Sequence, residues 1–269
     1  MKITTIFILL LLAFKTHGQF YAIHIPNNKI DKIKIDGDTI DWNWMPEKYI
    51  ITEKYMKDSF NKNLIDNNSW QCRIKIGWSD ITNKIYINAK IIDDIVVLTK
   101  PDHYMNDCFQ LAINANNKGG VFTGENSKNH VVVCWYKPDT IIDTRFNLGI
   151  GPKWMFNTPT DYFKWKVVSY KTVQKKNVII YELSMNLFDK WEKESPGKSN
   201  LCLLVPNKKI KMTLIFEDAD KLDNSRLEWT TKASWEWYMD ANYFSEFVLA
   251  PPLPTKDISW HNIDYVLNP

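Results

Sequence analysis

"CRIKIGWSDITNKIYINAKI", from Cys72 to Ile91, decides the fold class. Apolar and polar residues alternate from Cys72 to Trp78, and again from Lys84 to Ile91. A period of two sends successive side chains to opposite faces of a strand. The residues between, Ser79 to Asn83, are a turn, so the two runs read as an antiparallel hairpin with one buried face.

The same period recurs along the chain. Lys32–Ile35, Cys108–Ile113, His130–Tyr136, Phe163–Tyr170, Asn177–Met185, Ile210–Phe216 and Glu246–Leu249 all alternate. Turn residues separate them at Asn116–Gly120, Lys137–Asp139, Gln174–Asn177 and Ser195–Gly197. Many short strands at this spacing predict an all-β chain folded as an antiparallel β-sandwich, immunoglobulin-like or jelly-roll-like. One short helix is expected at Asn186–Glu194 and a helical turn at Trp42–Lys48. Pro251–Pro254 ends the pattern. With neither linker nor internal repeat, residues 19–269 read as a single domain.

The first eighteen residues read as a secretory signal peptide. Lys2 supplies a positive charge, Ile6–Phe14 is a short apolar run, and Thr16 and Gly18 are small residues ahead of a cut before Gln19. The expected location is secreted, extracellular or periplasmic. The 34 basic and 31 acidic residues nearly balance, which asks for neither nucleic acid nor an anionic membrane. Cys72, Cys108, Cys134 and Cys202 are widely spaced, without the close pairs of a zinc site, and stand as bridges or buried thiols. Aromatic residues make up 14% of the chain, including 12 Trp, more than a core alone requires. Some of these rings are therefore expected to form a stacking surface.

Four stretches carry candidate chemistry. Asp36-Gly37-Asp38, followed by Asp41, Trp42 and Trp44, reads as a turn with Trp rings packed back over a sheet edge. Asp93 and Asp94 close a strand, where adjacent carboxylates suit calcium or a solvated turn. Glu217, Asp218 and Asp220, with Arg226 and Glu228 shortly after, suit a metal, sugar hydroxyls or an internal ion-pair network. Trp235-Glu236-Trp237-Tyr238 packs so many rings together that at least one faces outward. The serine-hydrolase elbow, the phosphate-binding loop, the dinucleotide glycine pattern and the HExxH zinc motif are all absent from the sequence.

Taken in order, these stretches resemble family 9 carbohydrate-binding modules, within the broader group of DOMON-like sandwiches. The D-G-x-x-D/E-x-x-W opening is similar to Asp36–Trp44. The W-x-x-D-S-V-E strand is similar to Tyr104–Leu111, with Tyr104 for Trp and Gln110 for Glu. The late N-D-A, Arg and W-x(6)-F-G elements are similar to Phe216–Asp220, Arg226 and Trp237–Phe244. The resemblance implies a sugar of a glucan or xylan chain held between two rings, Tyr104 and Trp237, with Tyr238 as the alternative second ring. It also implies Asp107, Gln110, Glu217, Asp218 and Arg226 on the hydroxyls, and a structural calcium, for which Asp93 and Asp94 are the candidates.

The expectation is thus an exported, non-catalytic carbohydrate-binding protein that assists polysaccharide breakdown. Its partners would be a polysaccharide or oligosaccharide and separate glycoside hydrolases. It requires no cofactor, with calcium in a structural role. One alternative is a glycan hydrolase using carboxylates of the 93–107 and 217–228 regions. Another is a DOMON-like haem carrier with axial ligands from His103, His130, Met105 or Met239.

Overall fold

The computed structural model describes residues 19–60, 63–123, 131–138, 141–147, 162–190, 198–220 and 227–252. Among these the strands are β1 (Phe20–His24), β2 (Ile51–Thr52), β3 (Lys57–Asp58), β4 (Trp70–Ser79), β5 (Lys84–Asp93), β6 (Cys108–Asn114), β7 (Val131–Tyr136) and β8 (Ile141–Asn147). They continue with β9 (Phe163–Lys171), β10 (Asn177–Met185), β11 (Phe188–Lys190), β12 (Asn200–Leu201), β13 (Lys209–Asp218), β14 (Leu227–Thr230) and β15 (Ser245–Leu249). One sheet runs β8-β7-β6-β13-β15-β1, and the second runs β1-β4-β5-β10-β9. The fold is an all-β sandwich. Strand β1 belongs to both sheets: Phe20–Ala22 pair with β15, then Ile23 and His24 pair with β4, both in parallel. A strand that changes sheets in this way makes a corner of the sandwich.

The hairpin read from the sequence is present, with Trp78 opposite Ile85 and Ser79 opposite Lys84. Its apolar set, including Ile74, Ile76, Ile85 and Ile87, points inward with Phe109, Leu111, Leu214 and Phe216 of the facing sheet. Phe109 and Phe216 stack at 4.7 Å between centroids, and Trp70 leans on Phe216 at 5.6 Å. Two smaller apolar clusters cover the outer faces. One places Phe122, Trp237 and Phe244 against Ala112 and Ile215 of the first sheet. The other places Ile25, Ile30, Trp42 and Met45 against Tyr86 of the second.

Glu182 fastens that second covering segment. Fully buried on β10, it accepts from Trp42 Nε1 at 2.6 Å and from the backbone N–H groups of Gly37 and Asp36 at 2.8 and 3.0 Å. The Asp36–Trp44 stretch is thus a turn packed over a sheet face. Gly37 has φ +87°, and a Cβ there would lie 2.3 Å from Val168 Cγ2. Gly37→Ala is expected to destabilise the protein by about 2 kcal/mol, from the left-handed backbone and the collision together. Val168→Ala in the same chain should restore part of this, as measured by urea unfolding.

Some expectations are corrected. Lys32–Ile35 is not a strand, because it lies in the covering segment, where Ile33 packs downward without a neighbouring strand. The helix expected from Asn186 is instead β11, paired with β12; residues 191–194 of that expectation lie outside the described residues. Cys72 and Cys202 are free, buried thiols, and Cys108 is buried. Residues 1–18, expected as a signal peptide, and the tail from 253 lie outside the described residues, as does His130. Among the described residues, no helix is long and apolar enough to cross a membrane.

Candidate functional site

The exposed aromatic rings are set by a 3-10 turn. Trp235–Tyr238 form it, and Ser234 caps it by accepting from Glu236 N–H at 3.2 Å. Three residues per turn bring positions i and i+3 to one side. Trp235 and Tyr238 accordingly stand together, each 45% exposed, with centroids 5.7 Å apart and planes inclined by 33°. Trp237, between them, points the other way. It is 4% exposed, and its Nε1 donates to Glu228 Oε1 at 2.7 Å. Trp237 therefore presents no open face, contrary to its expected place as the second jaw. The expectation rested on the family resemblance, whereas here the 3-10 turn sends Trp235 and Tyr238 outward and Trp237 inward. The named alternative, Tyr238, is exposed.

Tyr104 is 38% exposed, on a loop that folds back on itself. Asn106, fully buried, accepts from Lys100 N–H at 2.8 Å and donates to the carbonyls of Lys100 and Asp102 at 3.0 and 2.7 Å. The loop closes where Val97 N–H donates to Asp107 Oδ2 at 2.5 Å, and Asp107 N–H to the Val97 carbonyl at 3.0 Å. Tyr104 so sits on a braced loop just ahead of Cys108, which pairs with Glu217 on β13.

The polar candidates lie underneath. Gln110 Nε2 donates to Glu217 Oε1 at 2.6 Å, and both residues are buried. They share the outer face of the first sheet with Glu228, so they support the covering segment rather than reach solvent. Asp107 accepts a second N–H, from Ala219, at 3.1 Å. Asp218 accepts from Trp229 Nε1 at 2.9 Å, while its Oδ1 is buried with no hydrogen-bond partner. Arg226 lies outside the described residues. Of the carboxylates in the 93–107 and 217–228 regions, Asp93, Asp107, Glu217, Asp218 and Glu228 are each 5% exposed or less, whereas Asp94 and Asp102 are exposed and Asp220 is half-buried.

Asp93, Asp107 and Asp218 form one cluster. A carboxylate oxygen from each lies within 4.8 Å of the others, and Asp93 makes a second, outer triad with Asp94 and Asp220. Asp93 ends β5 of one sheet, while Asp107 and Asp218 come from the ends of β6 and β13 of the other, so the cluster ties the layers at one end of the sandwich. Burial, then repulsion from Asp107 and Asp218, holds Asp93 far above the usual carboxylate range. Burial also raises Asp107, although N–H donors from Val97 and Ala219 oppose it. Asp218 is pushed up to about 7, chiefly by burial. Three such groups do not stay ionised together without a cation. All-oxygen donors and an unpartnered inward oxygen fit a hard cation of the calcium type. Asp93, named with Asp94 as the calcium candidate, stands in both triads, and the first of them brings it together with Asp107 and Asp218.

No protein-family model matches the chain, and no curated protein matches it. The likeness lies in structure. A family 9 carbohydrate-binding module from Caldicellulosiruptor kristjanssonii, solved in complex with cellotriose, superposes with a TM-score of 0.58 at 11% identity, over 90% of this chain and 98% of that one. The fold is that of a family 9 carbohydrate-binding module. A second module from the same organism, in complex with glucose, gives a TM-score of 0.54 at 12% identity, over 90% of this chain and all of the other. This chain carries an outward aromatic pair, Trp235 and Tyr238, beside a buried Trp237. Trp235 went unassigned at the sequence level, yet its i, i+3 spacing to Tyr238 was the available signal.

Proposed function

We propose that the protein is an exported, non-catalytic carbohydrate-binding protein, holding a sugar of a glucan- or xylan-type chain on Trp235 and Tyr238, with Tyr104 as a further ring. It would act beside separately encoded glycoside hydrolases. The observation that carries this reading is the exposed pair on a capped turn. Flat rings held rigidly offer stacking area to the C–H faces of a pyranose at little cost in side-chain entropy. The Trp237–Glu228 bond beneath keeps the turn from rotating.

Calorimetric titration with cello- and xylo-oligosaccharides tests it. Trp235→Ala and Tyr238→Ala should each weaken binding about tenfold, near 1.4 kcal/mol, while Tyr238→Phe keeps most of the affinity. Undiminished affinity in both alanine variants would place the sugar elsewhere. For the metal, we propose calcium held by Asp93, Asp107 and Asp218. The ion would supply neutralising charge where three carboxylates meet, and so brace the loop that carries Tyr104.

A further inference from the structure

A groove of about 860 Å³ opens far from the aromatic pair, along the outer edge of the second sheet. The row Tyr86, Ser184 and Lys164 crosses β5, β10 and β9 in register, which places all three on one face. Lys34 approaches from the covering segment, and Lys84 from the start of β5. Three ammonium groups thus line one opening, and none of its described lining residues is acidic. The floor is of another kind. Tyr86 is buried, with its hydroxyl donating to Thr82 Oγ1 at 3.0 Å, and Trp165, half-buried on the edge strand, turns the other way from Lys164 and packs against the main core.

We propose that this groove is a second glycan site, specific for an acidic oligosaccharide of uronate units. Its volume falls in the range of sites that enclose a small ligand, roughly 300–1,000 Å³. The hydroxyl groups of Thr82 and Ser184 suit the hydroxyls of a sugar, and the lysines select for charge. A uronate chain carries one carboxylate per sugar, so three cations spread along a groove match a short run of such units better than one concentrated anion. Lysine meets carboxylates as a compact point charge, without the planar fork that would fix one orientation. The site does not depend on the aromatic surface and reaches beyond neutral-glycan binding.

The test is titration of full-length protein with tetra-galacturonate, alongside cellotetraose and dextran sulfate, at low and high salt. The expected result is tetra-galacturonate binding that weakens with salt. It should be undiminished in Trp235→Ala and fall about tenfold in the triple variant Lys34→Gln, Lys84→Gln, Lys164→Gln. An unchanged melting midpoint for that variant shows that its fold is intact; should the midpoint fall, Lys34→Gln and Lys164→Gln alone, both at exposed positions, are measured instead. No tetra-galacturonate binding, equal binding of cellotetraose, tighter binding of dextran sulfate, or undiminished affinity in the lysine variants would each overturn the proposal. Loss of cellotetraose affinity in Trp235→Ala, with tetra-galacturonate affinity kept, separates this site from the aromatic one.

Discussion

Calcium added to chelator-treated protein should raise its thermal midpoint by about 5–10 °C. The figure follows from a ligand at about a hundred times its dissociation constant, which stabilises by about 2.7 kcal/mol, and from about 2–4 °C per kcal/mol for a chain of this size. Magnesium gives a smaller shift, because it demands a tighter shell and releases its waters reluctantly. The diagnostic variant is Asp218→Asn. Its amide oxygen can still accept from Trp229 Nε1, as Asp218 Oδ2 does at 2.9 Å. The amide nitrogen then donates into the cluster in place of the unpartnered oxygen. Without calcium, Asp218→Asn should therefore be at least as stable as the parent, since one of three crowded carboxylates is gone. With calcium it should be the less stable of the two. That crossing of midpoints, read by differential scanning fluorimetry, is not produced by a merely structural aspartate. A parent midpoint indifferent to calcium sinks the metal proposal while leaving the aromatic surface untouched.

Glu182→Ala should destabilise the protein by about 3 kcal/mol, lowering the midpoint by about 6–12 °C. The change removes the acceptor of Trp42 Nε1, of Asn88 Nδ2 at 3.3 Å and of two backbone N–H groups, all at a fully buried position. Buried donors left without acceptors carry the full cost of lost hydration. Glu182→Gln should recover only part, because one of its two terminal atoms becomes a donor facing donors. Affinity for neutral sugar should survive both substitutions, since Glu182 lies on the outer face of the second sheet, whereas Trp237 seats the aromatic pair against the first. Chemical unfolding alongside calorimetry checks both halves of the prediction. A normal stability for Glu182→Ala would mean that the Asp36–Trp44 segment is held by packing alone.

Much of the layering was legible in the residues. Cys72–Ile91 announces a hairpin because its inward set is apolar throughout, five of the eight residues being isoleucine. Cys108–Ile113 and Ile210–Phe216 reveal their buried faces in the same way. Strands whose burial does not alternate escaped notice: Ala22, Ile23 and His24 of β1 are all buried, as are Glu228, Trp229 and Thr230 of β14. Lys32–Ile35 alternates like a strand but packs as a covering loop, since alternation records which side chains are buried and not whether a neighbour pairs with the backbone.

The sequence by itself determined that this chain is a β-sandwich, that its rings outnumber what a core needs, and that Asp93 and Asp218 close their strands. Only the tertiary structure decided that Trp237 is sunk while Trp235 and Tyr238 face out, and that Asp93, Asp107 and Asp218 meet across two sheets. The physical reason is one of range. Periodicity follows from burial along a single strand, which adjacent residues encode. The i, i+3 spacing groups Trp235 with Tyr238, but whether that side of the turn faces solvent, and which carboxylates come within reach of one another, depends on how distant segments pack.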